Sequence, residues 1–357
     1  MENSSGGTPH ASLRPAMVRR LHRRAIASGS IALPAVPGML DDYVSLCEST
    51  FAAIGVKFSP EQLLQLRRVL EGELAIAFRE SPRSEIVITY ESPLGLEVNY
   101  HVRARWFSLD AAYDQWVAQR QPPLFGSEPD AMVMALAGEI PAAAQCPVLD
   151  VGAGTGRNAL ALARRGHPVD AVELSPKFVE VLTQQAAQES LPVRVVQSDV
   201  FAATQNLRRD YGLMVVSEVV SDFRVVDQLR QVFILAAQCL APGGLLVFNA
   251  FVARDGYTPD AAAREFAQQC YSAILTRAEI AGAAAELPLR LERDEAVYEY
   301  EKANLPATAW PPTSWYEGWV SGQDVFDLPR EAVPLALRWF VYRKGGRASG
   351  GDGHLVA

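Results

Sequence analysis

The sequence predicts an α/β protein in which a doubly wound, largely parallel sheet follows a small α+β accessory domain. From residue 147 onward, short apolar segments alternate with amphipathic helical segments, which is the pattern of parallel strands covered by helices on both faces. A glycine-rich turn joins the first of these strands to the first helix. Before residue 105, two short runs alternate apolar and polar residues, and such runs predict a β-hairpin.

Length and composition indicate a globular chain with room for one large and one smaller domain. Of its 357 residues, 49% are hydrophobic and 21% are charged. The formal net charge of −8 disfavours nucleic-acid binding, which normally requires a basic surface. The cysteines show no paired spacing, so we expect no metal site, no disulfides and a reducing, cytoplasmic location. They are Cys47, Cys146, Cys239 and Cys270.

Residues 1–36 are expected to form a basic segment that is flexible or loosely docked. Arginines cluster between residues 14 and 24, and an uncharged stretch follows to residue 40. Signal peptides, transit peptides and membrane-surface helices share this order, and these interpretations stay open. The prolines and serines make a poor apolar core for a signal peptide, and the stretch is too short to span a membrane. We favour a frayed N-terminal helix.

Residues 37–125 are expected to form the accessory α+β domain. An apolar stripe predicts a helix that stops at Gly55, and Ser59-Pro-Glu-Gln predicts the capped start of a second helix. The alternating runs then supply the hairpin. Ser127 or Asp130 is expected to cap the helix that opens the next domain.

Residues 147–162 contain the strongest functional signal. An apolar strand, interrupted by Asp150, is followed by glycines at alternate positions and then by good helix formers. The glycines are Gly152, Gly154 and Gly156. Dinucleotide-binding turns have the spacing G-x-G-x-x-G, whereas this turn reads G-x-G-x-G and has Arg157 where the third glycine would stand. That arginine would crowd an approaching pyrophosphate.

This turn resembles motif I of class I S-adenosylmethionine-dependent methyltransferases, in which an acidic residue precedes G-x-G-x-G. Its continuation, G-x-G-R-N, is similar to the tellurite-resistance and thiopurine-type branch that acts on small molecules. The resemblance extends over residues 130–344 and implies S-adenosyl-L-methionine as the cofactor. It also implies a Rossmann-like sheet of seven strands within residues 126–345, with the last strand antiparallel beside the fifth. Residues 346–357 are expected to be a disordered, glycine-rich tail.

Six further segments are expected to supply the remaining strands. They are residues 169–172, 193–196, 213–216, 245–248, 297–300 and 337–342.

The resemblance assigns the cofactor contacts to residues at the ends of the first four strands. The turn would contribute Asp150, Gly152, Ala153, Gly154, Gly156 and Asn158. After the second strand, Glu173 would accept the ribose hydroxyls and Leu174 would pack on the adenine. After the third, Asp199 would accept from the adenine amino group, with Val200 beside the ring; Ser217 follows the fourth. Alternatively, Asp150 caps turn N–H groups and Asp199 caps a helix. An NAD enzyme would also place an acid at Glu173.

The acceptor side is less defined. Glu218 is the candidate general base or positioning group, and a purely structural carboxylate is the alternative. Late aromatic residues are candidates for the acceptor wall, where they would stack on an apolar molecule or attract the sulfonium. They are Tyr257, Tyr298, Trp315 and Tyr316. Alternatively, this proline-rich segment packs its tryptophans onto the edge of the sheet.

We therefore expect methyl transfer, by in-line displacement on an already activated carbon, to a small molecule or a short peptide. Neither nucleic acid nor a membrane is expected as a partner, and the Asn-Pro-Pro-Tyr type of sequence used on base amino groups is absent after the fourth strand. Three alternatives stay open: a nicotinamide-dependent oxidoreductase, an aminopropyl transferase on the same fold, and a catalytically inactive cofactor-binding assembly partner. The sequence does not predict the oligomeric state.

Overall fold

A computed structural model describes residues 9–22, 24–81, 83–93, 97–106, 117 and 123–346. The chain divides into two compact units, Met1–Leu109 and Asp110–Ala357. The predicted tail, apart from Gly346, lies outside the described residues, as does the start of the second predicted hairpin strand.

The first unit packs helices on a three-stranded antiparallel sheet with the order β1-β2-β3. Its elements are α1 (Pro9–His22), β1 (Ile26–Pro34), α2 (Leu40–Ala53), α3 (Pro60–Glu80), β2 (Glu85–Pro93) and β3 (Asn99–Arg105). The predicted hairpin is β2 with β3, and the predicted capping box opens α3: the Ser59 hydroxyl accepts from the Gln62 N–H, and the Gln62 side chain accepts from the Ser59 N–H at 2.8 Å.

Strand β1 was not predicted, and it corrects the view that the segment before residue 37 is only loosely attached. It pairs with β2 along its whole length, from Ile26 opposite Pro93 to Pro34 opposite Glu85. Serines and a glycine interrupt the apolar pattern by which a strand is predicted. An edge strand tolerates them because backbone hydrogen bonds hold it more than apolar side chains do. Gly29 is needed there, since a Cβ would lie 2.5 Å from the Tyr90 hydroxyl.

The second unit is built on one large mixed sheet with helices on both faces. Its elements are α4 (Ala131–Gly138), β4 (Val148–Val151), α5 (Arg157–Arg164), β5 (Val169–Glu173), α6 (Pro176–Gln188), β6 (Val193–Gln197), β7 (Tyr211–Val216), α7 (Val226–Cys239), β8 (Leu240–Ala253), α8 (Ala261–Gln269), β9 (Ile274–Leu275), α9 (Arg277–Ala284), β10 (Leu289–Ala296), α10 (Val297–Asn304), α11 (Tyr316–Val320) and β11 (Leu335–Lys344).

The strand order is β10-β11-β8-β7-β4-β5-β6, and the short β9 pairs with the end of β8. Strands β4 to β8 are parallel neighbours, whereas β11 runs antiparallel between β8 and β10. The predicted α/β class, the doubly wound sheet and the antiparallel last strand beside the fifth are confirmed. Because the parallel strands share one carboxyl edge, the residues after β4, β5 and β7 meet there.

The predicted sixth strand is wrong. Residues 297–300 open helix α10, and the strand is β10, directly before it. The run Val-Tyr-Glu-Tyr alternates as a strand would, but Val297 and Glu301 are the buried pair, and their spacing of four residues is helical. Strand β10 escaped notice because its sequence, LRLERDEA, is rich in charges that suit a half-exposed edge strand.

Side chains of the central strands alternate between two apolar layers. Val148, Val215 and Val247 pack under α5 and α6, whereas Leu149, Met214 and Leu246 face α7. Within the described parts of the chain, no group of metal-binding side chains occurs and no helix is long and apolar enough to cross a membrane. All four cysteines are free thiols.

Candidate functional site

The glycine turn leaves the carboxyl end of β4 in a left-handed path. Gly152, Gly154 and Gly156 have φ values of 66°, 54° and 93°, a region that L-residues rarely adopt. A Cβ at Gly152 would lie 2.4 Å from Val219, and one at Gly156 would lie 2.3 Å from Leu182. These two glycines therefore make room for neighbouring side chains.

Glu173 ties the turn to the next strand. Its carboxylate, at the end of β5 and 6% exposed, accepts from the Gly154 N–H at 2.8 Å and from the Ser175 N–H at 2.7 Å. These two contacts fix the turn on the end of β5. Leu174, the next residue, is half-buried.

Asp150 lies beneath the turn with an unmet acceptor. Its side chain is 2% exposed, and its Oδ2 atom forms no hydrogen bond in the structure. Burial, and then repulsion from Asp130, raise the pKa of Asp150 to about 7, although Arg157 and the Ala159 N–H act in the opposite direction. A buried carboxylate oxygen of this kind is costly unless a donor or a cation meets it.

Arg157 is the hub of a buried polar network. Its guanidinium donates to Asp130 and to Glu218, both at 2.7 Å, and is 9% exposed. Asp130 also accepts from the Asn158 amide at 2.8 Å and from the Ser217 hydroxyl at 2.7 Å. Three residues predicted separately, Asn158, Ser217 and Glu218, thus converge on an ion pair that was not predicted.

Glu218 adopts a left-handed conformation, with φ of 59°, directly after β7. Its backbone N–H donates to the Asn249 side chain at 2.8 Å, and such a contact holds a strained backbone in place. Burial raises the pKa of Glu218, and Asp130 adds to the rise while Arg157 opposes it. The buried Tyr316 hydroxyl also has a pKa well above its usual value, because of burial and then the negative charge of Glu218.

Glu301 supplies the cap that Ser127 or Asp130 was expected to supply. It accepts from the Ala131 N–H at 2.7 Å and the Met132 N–H at 3.2 Å, at the start of α4. Asp130 occupies the N-cap position of that helix, but its side chain makes no capping bond. Asp130 does not cap the helix because its carboxylate already binds Arg157 and Ser217.

Asp199 caps a helix, which is one of the two roles that the sequence analysis gave for it. Its exposed carboxylate accepts from the Phe201 N–H at 2.8 Å and the Ala202 N–H at 3.3 Å, at the start of a short 3-10 helix. Val200 is half-buried and packs against the core.

The aromatic residues divide into two groups. Tyr316 is buried beside Glu218, and the half-buried Trp315 contacts it with ring centres 5.9 Å apart. Trp319 packs edge-on against Phe251 of β8 at 5.2 Å, as the packing alternative predicts.

Tyr257 and Tyr298 make their contacts elsewhere. Tyr257 packs against Phe326, with ring centres 5.9 Å apart. Tyr298 lies on helix α10 instead of a strand, donates to Glu317 at 2.7 Å, and is held beneath Arg330. Trp310 separates it from Tyr316.

Sequence reasoning missed the site roles of Asp130, Arg157, Asn249 and Glu301. One signal was available: Asn249 is a polar residue within an otherwise apolar strand, LLVFNAFVA, and a buried amide there needs partners. Glu301 meets the start of α4 across 170 residues of sequence, a separation that no local sequence pattern can predict.

Comparison with known proteins matches part of the chain to a family model. Residues 148–244 match the family model described as a methyltransferase domain. A hemagglutinin, Hemagglutinin 1 from Eikenella corrodens, is 43% identical over 68 residues, which cover 19% of this chain and 23% of that protein. The chain thus spans less than a quarter of the length of this curated relative.

Solved structures resemble the chain at low identity. A geranyl diphosphate C-methyltransferase from Streptomyces coelicolor A3(2) is 16% identical, with a TM-score of 0.49 over 60% of this chain and 77% of that one. The [4+2]-cyclase SpnF is also 16% identical, with a TM-score of 0.45 over 60% and 80%. At such values the likeness says nothing of the reaction of this chain.

The family match and the sheet order agree over part of the chain. Residues 148–244 match a methyltransferase domain, and the sheet that contains them has a Rossmann-like strand order.

Proposed function

We propose that the protein transfers the methyl group of S-adenosylmethionine to a small molecule or a short peptide at the carboxyl edge of the sheet. The observation that carries the proposal is the charge around the turn. The buried acids Asp130, Asp150, Glu173 and Glu218 surround one arginine, Arg157, whose charge is already shared by two of them. Such a site fits a cationic ligand better than a pyrophosphate.

The residues present fit the cofactor at two positions. Asp150 has a buried oxygen without a partner, which suits the ammonium of the methionine part. Glu173, which holds the turn through Gly154, is the proposed acceptor for the ribose hydroxyls. Leu174 and Val200, both half-buried, are the proposed adenine contacts, with Asp199 nearby in sequence as the acceptor for the amino group.

The cofactor supplies an activated methyl group, so the main task of the chain is to position the acceptor and exclude water. Glu218 is the proposed group that faces the acceptor. Arg157 and Asn249 fix its side chain and its backbone, and its raised pKa makes its carboxylate a stronger base than that of an ordinary glutamate. It is thus able to take a proton from an acceptor that must lose one.

Calorimetry followed by a transfer assay tests the proposal. The full chain is titrated with S-adenosylhomocysteine and, separately, with NAD; binding of the first and not the second is expected. Labelled S-adenosylmethionine is then incubated with lysate fractions of small molecules, peptides and nucleic acids. Label in the first two fractions supports the proposal, whereas NAD binding without a response to S-adenosylhomocysteine contradicts it.

The matched variant is Glu218→Gln, which keeps the size of the side chain and removes its charge. We expect it to bind S-adenosylhomocysteine as the wild type does and to lose most of its transfer rate, by about 10²-fold, the usual lower range for a general base. An unchanged rate assigns Glu218 a structural role.

A further inference from the structure

A cavity of about 350 Å³ lies at the carboxyl edge of the sheet, where β8 and β10 end and β11 begins. Part of its wall is apolar, from Val252 and Leu335 on the sheet and Val320 at the end of α11. The rest of the wall is charged, and arginines outnumber acids. The charged residues are Arg254, Arg277, Arg330, Arg338, Asp255 and Glu299.

Most of these arginines are partly neutralised by neighbouring acids. Arg277 and Arg338 both pair with Asp294, so two cations share one carboxylate. Arg330 pairs with Glu299 at 2.6 Å. Glu331 also lies 3.8 Å from Arg330, so Asp294, Glu299 and Glu331 together balance these three arginines.

Among the four arginines of the cavity, Arg254 is the one that forms no ion pair with the residues that the structure describes. Its Nε donates to the Leu335 carbonyl at 3.2 Å, and its backbone N–H donates to the Pro334 carbonyl at 2.8 Å. These contacts anchor the guanidinium at the start of β11 and leave its terminal N–H groups available. An arginine held in this way is suited to binding a carboxylate or a phosphate, because its planar donors are already oriented.

We propose that this cavity binds the anionic group of the acceptor, a carboxylate or a phosphate attached to an apolar body. Helix α11 connects the cavity with the reaction site: Val320 lines the cavity, and Tyr316 at the other end of the helix lies beside Glu218. Four residues of helix rise about 6 Å. The acceptor then spans roughly that distance between its anion and its methylated atom. This inference rests on the proposed methyl transfer.

The test uses the full chain saturated with S-adenosylhomocysteine, with that binding step measured first. Calorimetry then compares three ligands with the same apolar chain: decanoate, decyl phosphate and decanol. We expect the two anions to bind at least tenfold more tightly than decanol, and the ratio of the two anions distinguishes a carboxylate from a phosphate acceptor. Raising the salt concentration should weaken the anions and leave decanol unchanged.

Arg254→Gln is the decisive variant, and Arg290→Gln, at an exposed arginine of β10 on the opposite edge of the sheet, is its control. We expect Arg254→Gln to weaken anion binding about tenfold and Arg290→Gln to have no effect, with thermal unfolding unchanged in both. Equal binding of decanoate and decanol, or equal effects of the two variants, overturns the anion site alone. Failure to bind S-adenosylhomocysteine overturns the proposed function instead.

Discussion

The two halves of the carboxyl edge differ in charge and in how the chain builds them. At the ends of β4, β5 and β7, buried acids surround Arg157 and one carboxylate oxygen, on Asp150, has no partner. At the ends of β8 and β10, three arginines of an open cavity are paired with acids, and the fourth, Arg254, forms no ion pair with the residues that the structure describes. The first half has the charge of a site for a cation, and the second offers one unpaired cation to an anion.

This difference shows how one sheet can separate its two ligands. In the proposed function, the sulfonium cofactor is attracted to the acidic half and the anionic acceptor to Arg254 in the other half, and the buried acids repel the acceptor from the cofactor site. The halves also differ in origin, since the acidic half comes mainly from one segment, residues 130–218, and the basic half from residues scattered over 252–338.

Removing the buried cation should have the largest effect on the acidic half. Arg157→Ala leaves Asp130 and Glu218 buried without compensation, so we expect a loss of roughly 3–5 kcal/mol in the free energy of unfolding, measured with urea. Arg164→Ala, on the same helix but in an exposed pair with Glu189, is the control and should change little. Similar losses in the two variants would contradict a buried hub.

Glu173→Ala should affect the cofactor and the fold together. The Gly154 and Ser175 N–H groups lose their acceptor, so we expect about 1–3 kcal/mol less stability and a weaker affinity for S-adenosylhomocysteine by calorimetry. The exposed Asp199→Ala is the comparison, and its stability should fall less. If Glu173→Ala retains the affinity of the wild type, Glu173 serves only the turn.

The pH dependence of cofactor binding should report on Asp150. Its pKa is raised to about 7 in the free protein, so below that pH the carboxyl is mostly protonated and a cationic ligand must displace the proton. We therefore expect affinity to fall as pH decreases from about 7, by up to tenfold per unit, with proton release on binding. Calorimetry at pH 6.5 in two buffers of different ionisation enthalpy measures that release.

The control is Asp150→Asn, which cannot release a proton. It should bind more weakly above about pH 7 and lose the pH dependence. Wild-type binding without proton release would show that the unmet oxygen is not where the cation binds.

Tyr316→Phe should have the smallest effect on folding and a selective effect on turnover. The variant removes one hydroxyl beside Glu218, so we expect a stability change within about 1 kcal/mol, normal S-adenosylhomocysteine binding and slower methyl transfer. Tyr43→Phe deletes the same group in the first unit, where it donates to the Pro34 carbonyl, and should leave transfer unchanged. Equal rates in the two variants would remove Tyr316 from the acceptor site.

The sequence by itself determined the parallel strands of the large sheet, its antiparallel last strand and the place of the turn. Apolar segments of strand length and the spacing of Gly152, Gly154 and Gly156 are local patterns. Each of these glycines has a left-handed backbone, which glycine adopts most easily, so residue type alone predicts the turn. The sequence also predicted that the residues after β4, β5 and β7 lie together, because parallel strands place their carboxyl ends at one edge.

Only the tertiary structure decided which charges meet. Asp130 was expected to cap a helix, yet its carboxylate joins Arg157 and Ser217, and Glu301 caps that helix from 170 residues away. The strand expected at residues 297–300 is a helix, since burial of Val297 and Glu301 outweighs local alternation. Ion pairs and caps depend on distance and burial in the folded chain, and a one-dimensional pattern of residue types contains neither.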